Sequence, residues 1–400
     1  MTHTGIDELK SYYPGQRYSS GEMERRYEAI RKKLAALDYD CLLVYGQGYN
    51  DHANVRYLSD YEQMGFSYVI VPRSGPLTLF YGFTWCHDPT ARIMSVIPDV
   101  RYIRDRAGEV LADELRKRGL AASRIAVPAC TGPAYTIALP PADHFDALRK
   151  ALPKATFVSE PFFLDEIRMI KSREEIARTE RAAAIGDQAM RAVIGAMAEG
   201  VTDADLYRAA QRKTMDMGGQ WKFAIVGSTP MSKPNLITPY QLPLKRRISR
   251  GDIFITEIGT AYGACESLIT RPISLGPPTK QYLELFDIAR ESFNIMYEAM
   301  RPGKTERDLW EARTPILKRG LKFQILAHGM SPMEPYLTAE EDLIRPYTLQ
   351  EGMVISLEPK PYIGEHYTGD GIGMFLSDTV VIEKNGPRDL NKLPMEFFQV

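Results

Sequence analysis

Two glutamates lie where an acid is costly to place. Glu257 interrupts the apolar run FITEIG, and Glu358 interrupts VISLEP. A carboxylate buried in a strand must meet a cation, a metal ion or a proton. His328, in LAHGM between two strand-like runs, can pass a proton either way near neutral pH. Lys360 falls two residues after Glu358, on the same strand face. It can pair with that glutamate or bind a substrate carboxylate, and Arg271 is a further cation that either acid could meet. Glu257, His328 and Glu358 together could also hold a single divalent ion, since a histidine with two carboxylates is a known three-ligand set. Alternation places Glu266, Leu268 and Thr270 on one face, so Glu266 could bring another carboxylate to the same cavity. Tyr240 sits on the Pro-rich stretch Pro230 to Pro243, which is long enough for a functional loop. It suits proton donation, hydrogen bonding to substrate, or plain packing. His366 reads as surface, and nothing singles out His52, His87 or His144.

The elements that must position these residues come in two blocks. From Ser20 onward, helical spacing in GEMERRYEAIRKKLAALDYD is followed by CLLVYG, NVRYLSDY, FSYVIVP and LTLFYGF, which read as strands. Glu109 to Arg118 reads as a helix and RIAVPA as a strand. This alternation predicts an α/β domain over residues 1–160. A second, α+β domain follows over residues 161–400, with Pro161 to Ser172 as the boundary. Ser172 with Glu175 forms a capping-box signature opening a long helix. Further helices are expected over Asp203 to Met217 and Lys280 to Met300, and from Thr305 to a stop at Gly320. The strands of this block are Asp252 to Gly259, Ser267 to Leu275, Met353 to Pro359 and Phe375 to Glu383.

Bulk composition excludes several classes. The 400 residues are 44% hydrophobic and 25% charged, with a net charge of -1. No overall field favours nucleic acid or an anionic membrane. The four cysteines, Cys41, Cys86, Cys130 and Cys265, show no CxxC pairing. That argues against a zinc ribbon or a disulfide framework and fits a reducing compartment. With no signal-peptide pattern and no long apolar run, a cytoplasmic location is expected.

IKSREE, GDIFITEIG, SLITRP, LAHGM, EGMVISLEPKPY and SDTVVIE occur in that order. Together they resemble the pita-bread family of prolidases, methionine aminopeptidases and creatinases, and the first half resembles that family's N-terminal domain. The resemblance implies an α/β N-terminal domain followed by an α+β pita-bread catalytic domain. Metal-dependent members hold two divalent ions on two aspartates, a histidine and two glutamates. Gly251-Asp252 sets the frame and puts Glu257 in the first aspartate slot. Leu268, eleven residues on and just before Ile269-Thr270-Arg271, takes the second. His328 and Glu358 keep their slots, while Ser377, before Asp378-Thr379, replaces the last glutamate. Arg271 stands where the family keeps a structural arginine. Tyr240 takes the place of creatinase's catalytic histidine, and Thr270 that of its substrate-binding glutamate.

With two of five ligand positions lost, a two-ion centre is not expected, because paired divalent ions need bridging carboxylates against their mutual repulsion. The chain is closest in character to the metal-free creatinase and ectoine hydrolase-like branch. The expected function is a metal-independent hydrolase of a C–N bond, or a lyase, acting on a small nitrogen-containing or cationic metabolite. His328, Glu358, Glu257 and Tyr240 would be catalytic, with Glu266, Thr270, Lys360 and Ser377 contacting substrate. No cofactor is expected, although a single divalent ion on Glu257, His328 and Glu358 remains an alternative, giving a mononuclear hydrolase or aminopeptidase of the prolidase type. A second alternative is a non-catalytic binding module. The resemblance also implies a homodimer in which the N-terminal domain lids the neighbouring site.

Overall fold

The computed structural model describes residues 3–11, 17–47, 53–62, 65–128, 140–313, 321–324, 326–333, 335–337, 347–365 and 371–400. Cys130, His52 and His366 lie outside these residues, as does most of 338–347. The chain divides into two compact units, Met1–Arg168 and Met169–Val400. The first runs past the expected end at residue 160 because Phe163 and Leu164 are buried in its core.

In the first unit, β1 (Cys41–Gln47), β2 (Phe66–Pro72), β3 (Thr78–Tyr81), β4 (Val100–Tyr102), β5 (Arg124–Val127) and β6 (Thr156–Ser159) form one sheet, ordered β4-β3-β2-β1-β5-β6. Leu42, Val44, Val69 and Val71 pack on one face, and Leu43, Tyr45, Tyr68 and Ile70 on the other. Cover on both faces explains why these strands read as unbroken apolar runs. NVRYLSDY corrects one expectation: Ala53–Ser59 is a helix, with Val55, Tyr57, Leu58 and Ser59 buried. The Ser59 hydroxyl donates to the Val55 carbonyl one turn back. A short apolar run does not distinguish strand from buried helix.

The second unit opens as its sequence signals. The Ser172 hydroxyl accepts from the Glu175 amide at 3.2 Å, and the Glu175 carboxylate accepts from the Ser172 amide at 2.9 Å. This capping box starts the helix Arg173–Ala196. Thr202 with Asp205, and Thr305 with Asp308, build the same device before Asp203–Asp216 and Glu306–Ala312; residues 314–320 lie outside the description.

A central sheet contains β7 (Gln220–Pro230), β8 (Asp252–Tyr262), β9 (Cys265–Ile269) and β10 (Ile273–Ser274). The strand expected over Ser267 to Leu275 is therefore two, because Arg271 turns inward and Pro272 has no N–H to give the ladder. Three short strands follow: β11 (Lys322–Phe323), β12 (Ala327–Gly329) and β13 (Tyr336–Leu337). Next come β14 (Val354–Leu357), β15 (Pro361–Ile363), β16 (Ile372–Gly373), β17 (Asp378–Glu383) and β18 (Gly386–Asp389), and β19 (Phe398–Gln399) returns to pair with β10.

Alternation along β8 sets the site. Phe254 and Ile258 face the helices Arg173–Ala196 and Asp203–Asp216. Ile253 and Ile255 face the other way, among Met374, Leu376 and the helix Lys280–Ala299. Glu257 shares the Ile253 and Ile255 face. Gly251, with φ +91°, makes the turn into β8, a conformation that side chains beyond glycine rarely adopt.

Candidate active site

Strand register, not sequence proximity, assembles the site. β8 and β9 pair Ile258 with Ile269, so the next step of the ladder sets Glu257 opposite Thr270. A bridge joins Thr270 to Ser377. β14 and β17 pair Leu357 with Asp378, so the next step sets Ser377 opposite Glu358. β12 pairs with β14, His328 lying directly across from Ser356. Residues opposite one another, or two apart on a strand, share a face. Glu257, Thr270, Ser377, Glu358 and His328 therefore converge on one side of the paired strands.

Lys360 closes the ring. Its Nζ donates to Glu257 Oε2 at 2.6 Å and lies 3.1 Å from Glu358 Oε2. It also sits 4.6 Å above the centre of the buried Phe375 ring, a cation–π contact. The lysine is only 6% exposed. Burial works against its charge, but Glu257 and Glu358 outweigh that and hold it above the ordinary lysine range. Burial likewise drives Glu358 above the ordinary carboxylate range, and Glu257 pushes the same way while Lys360 and His328 pull it down. His328 Nε2 lies 3.4 Å from Glu358 Oε1, and its Nδ1 lies 2.8 Å from the Gly329 carbonyl oxygen.

The expected site residues thus separate into three groups. Glu257, Glu358, His328 and Lys360 form the ion cluster. Where the two glutamates are expected to hold a substrate cation, the Lys360 ammonium, two residues from one of them, lies against both. Thr270 and Ser377 flank the cluster and bind each other, the Ser377 hydroxyl donating to Thr270 Oγ1 at 2.9 Å. Glu266 and Tyr240 stand apart. Glu266 faces Ala261, four residues along β8 from Glu257, or about 13 Å at strand rise. It pairs there with Lys222 at 2.9 Å, so its shared face does not bring it to the cluster. Tyr240 is 43% exposed; its backbone bridges Val226, its ring rests against Gly227, and it gives the cluster no hydrogen bond.

Three neighbours on this face are not expected from the motifs. Phe375 is two residues before Ser377, so alternation alone places it on the same face. Ser356, across from His328, has a buried hydroxyl with no partner among the described residues. Phe223 lies over Gly259, where an added Cβ would come within 2.7 Å of the ring. Nothing in its local sequence signals that contact.

Arg271 plays the structural part assigned to it. Fully buried, it donates to both oxygens of Asp378 at 2.8 and 3.0 Å and to the carbonyls of Thr270, Ser377, Leu393 and Pro394.

The donor set does not fit a two-ion centre. Leu268 packs with Met330, Val354 and Val381 where a ligand would project. Ser377 offers a hydroxyl already committed to Thr270. Between the two remaining carboxylates lies the Lys360 ammonium, and among the described residues no three His, Cys, Asp or Glu side chains converge as ligands. Among those residues, too, no helix is long and apolar enough to cross a membrane.

Comparison with known proteins supplies the family. Residues 177–384 match the family described as "Metallopeptidase family M24", and residues 26–170 match "Creatinase/Prolidase N-terminal domain". The Xaa-Pro dipeptidase of Pyrococcus furiosus is 32% identical over 244 residues, which cover 58% of this chain and 66% of that enzyme, just under two thirds of its length. The Xaa-Pro dipeptidase of Pyrococcus horikoshii is 30% identical over 263 residues, covering 64% of this chain and 72% of that one. The solved prolidase of Pyrococcus horikoshii OT3 superposes with a TM-score of 0.76 at 24% identity, over 94% of this chain and all of that one. These relatives are named as dipeptidases, so they do not bear out the expected closeness to the creatinase-like branch. With the motif frame intact and more than half of the sequence matched, the chain belongs to metallopeptidase family M24 and carries the creatinase/prolidase type of N-terminal domain.

Proposed function

We propose that the chain hydrolyses a C–N bond in a small amide substrate, with the His328–Glu358 pair moving the proton and without a catalytic metal ion. The geometry of that pair carries the proposal. The Gly329 carbonyl can only accept, so His328 Nδ1 bears a hydrogen and Nε2 faces Glu358. At 3.4 Å the two atoms stand just beyond ordinary hydrogen-bond range, so a small approach lets a proton pass between them. Such a pair can take a proton from attacking water and return it to the leaving nitrogen, adding OH to the carbonyl carbon and H to the nitrogen. Family membership and the dipeptidase relatives support hydrolysis over elimination, and favour a substrate of dipeptide size over a cationic metabolite.

Those same relatives favour a second reading, a metal-dependent dipeptidase of the prolidase type. That reading requires Lys360 to withdraw from both carboxylates. A panel of dipeptides and N-acyl amides, assayed with and without chelator, separates the two. The proposal expects turnover indifferent to chelator and reduced about 10²–10⁴-fold in His328→Ala. Turnover that chelator abolishes and a divalent ion restores would establish the second reading. A folded His328→Ala variant with undiminished turnover would contradict the role given to the pair.

A further inference from the structure

We infer that Lys360 is a resident cation: its ammonium holds the place between Glu257 and Glu358 that a divalent ion would need, and its removal would create an ion site. The inference concerns what the site binds and goes beyond the proposed reaction. Four observations carry it. The ammonium touches one oxygen of each glutamate, at 2.6 and 3.1 Å. Oxygen ligands approach divalent ions at about 2.0–2.6 Å, so a small contraction of the same two carboxylates would ligate an ion at that point. His328 Nε2 stands 3.4 Å from the far oxygen of Glu358, near enough to supply a nitrogen donor. The fourth side of the cage is the face of Phe375, which favours a monovalent cation but has no lone pair for a metal.

The lysine and an ion exclude each other. Like charges at contact distance in a buried site repel strongly. Lys360 also has no easy retreat, because its stem is enclosed and an ammonium turned away from both glutamates would itself be a buried, uncompensated charge. One ammonium on a fixed stem thus stands against both acids without a bound ion, and ties their positions to β14 and β15, between which Lys360 lies.

The test compares ion binding by the full-length wild type and by Lys360→Ala. Each is dialysed against Mn(II), returned to metal-free buffer for elemental analysis, and titrated with Mn(II) while thermal unfolding is followed. The wild type is expected to retain no stoichiometric ion and to show no Mn(II)-dependent shift. Lys360→Ala is expected to retain about one ion per chain and to gain stability as Mn(II) rises. Adding Glu257→Gln to that variant should remove both effects. A wild type that holds an ion lost on Glu257→Gln would overturn the inference. So would a folded Lys360→Ala that binds none. If Lys360→Ala does not fold, Lys360→Met is read in the same way, and if neither folds the wild-type arm decides. These are binding readouts, so they stand or fall separately from turnover.

Discussion

Two buried ion clusters flank the Thr270–Ser377 bridge and are satisfied very differently. Around Arg271, every guanidinium N–H has an acceptor, and Asp378 meets it with both oxygens. Around Lys360, satisfaction is incomplete: among the described residues, Glu358 Oε2 has the ammonium at 3.1 Å but no well-directed hydrogen bond, and the neighbouring Ser356 hydroxyl has none. An unsatisfied buried polar atom is a standing cost, so a fully bonded cluster suits a structural role and a partly bonded one suits a site. The first cluster locks β17 to the Thr270–Pro272 turn. The second leaves capacity facing His328.

The comparison can be broken by substitution, beginning where the largest effect is expected. Arg271→Ala should destabilise the chain by about 3–5 kcal/mol in denaturant unfolding, since it strands Asp378 and several carbonyls. Arg271→Lys should recover little of that, because an ammonium cannot reach so many acceptors. A loss below that of Lys360→Met would reverse the assignment of roles. Lys360→Met should cost less, about 1.5–3 kcal/mol, the value of a hydrogen bond to a charged group, because Glu358 already tends toward its protonated form and can take up a proton. Glu266→Gln should shift stability by only about 0–1 kcal/mol, as expected for a half-exposed pair with Lys222, and leave turnover unchanged. A large loss of turnover in that variant would return Glu266 to the site.

Much of the site was legible in the sequence because strand alternation is rigid. Glu358, Lys360 and the frame around Glu257 are fixed by a two-residue period, and Lys360 was already a candidate partner for Glu358. Alternation names a face but not a position along it, which is why Glu266 shares a face with Glu257 yet lies too far along β8. That Lys360 also reaches Glu257 depends on how β8 packs against the turn after β14, a relation between residues 103 apart that no local pattern encodes. The capping boxes were legible because the motif is local. β7 carried a weaker signal, since its register shifts between Trp221 and Phe223. Family resemblance gave the fold and the slots, but the slots that lost their ligands, Leu268 and Ser377, do not point to Lys360, which stands between the two that kept a carboxylate.

The central claim is that a lysine ammonium stands where a divalent ion would otherwise sit. It is tested most directly by a crystal structure of the wild type grown with Co(II), using anomalous scattering to locate the ion. The account predicts Lys360 Nζ between Glu257 and Glu358 with no anomalous peak there. A peak bridging those two glutamates, with Lys360 turned away, would contradict it.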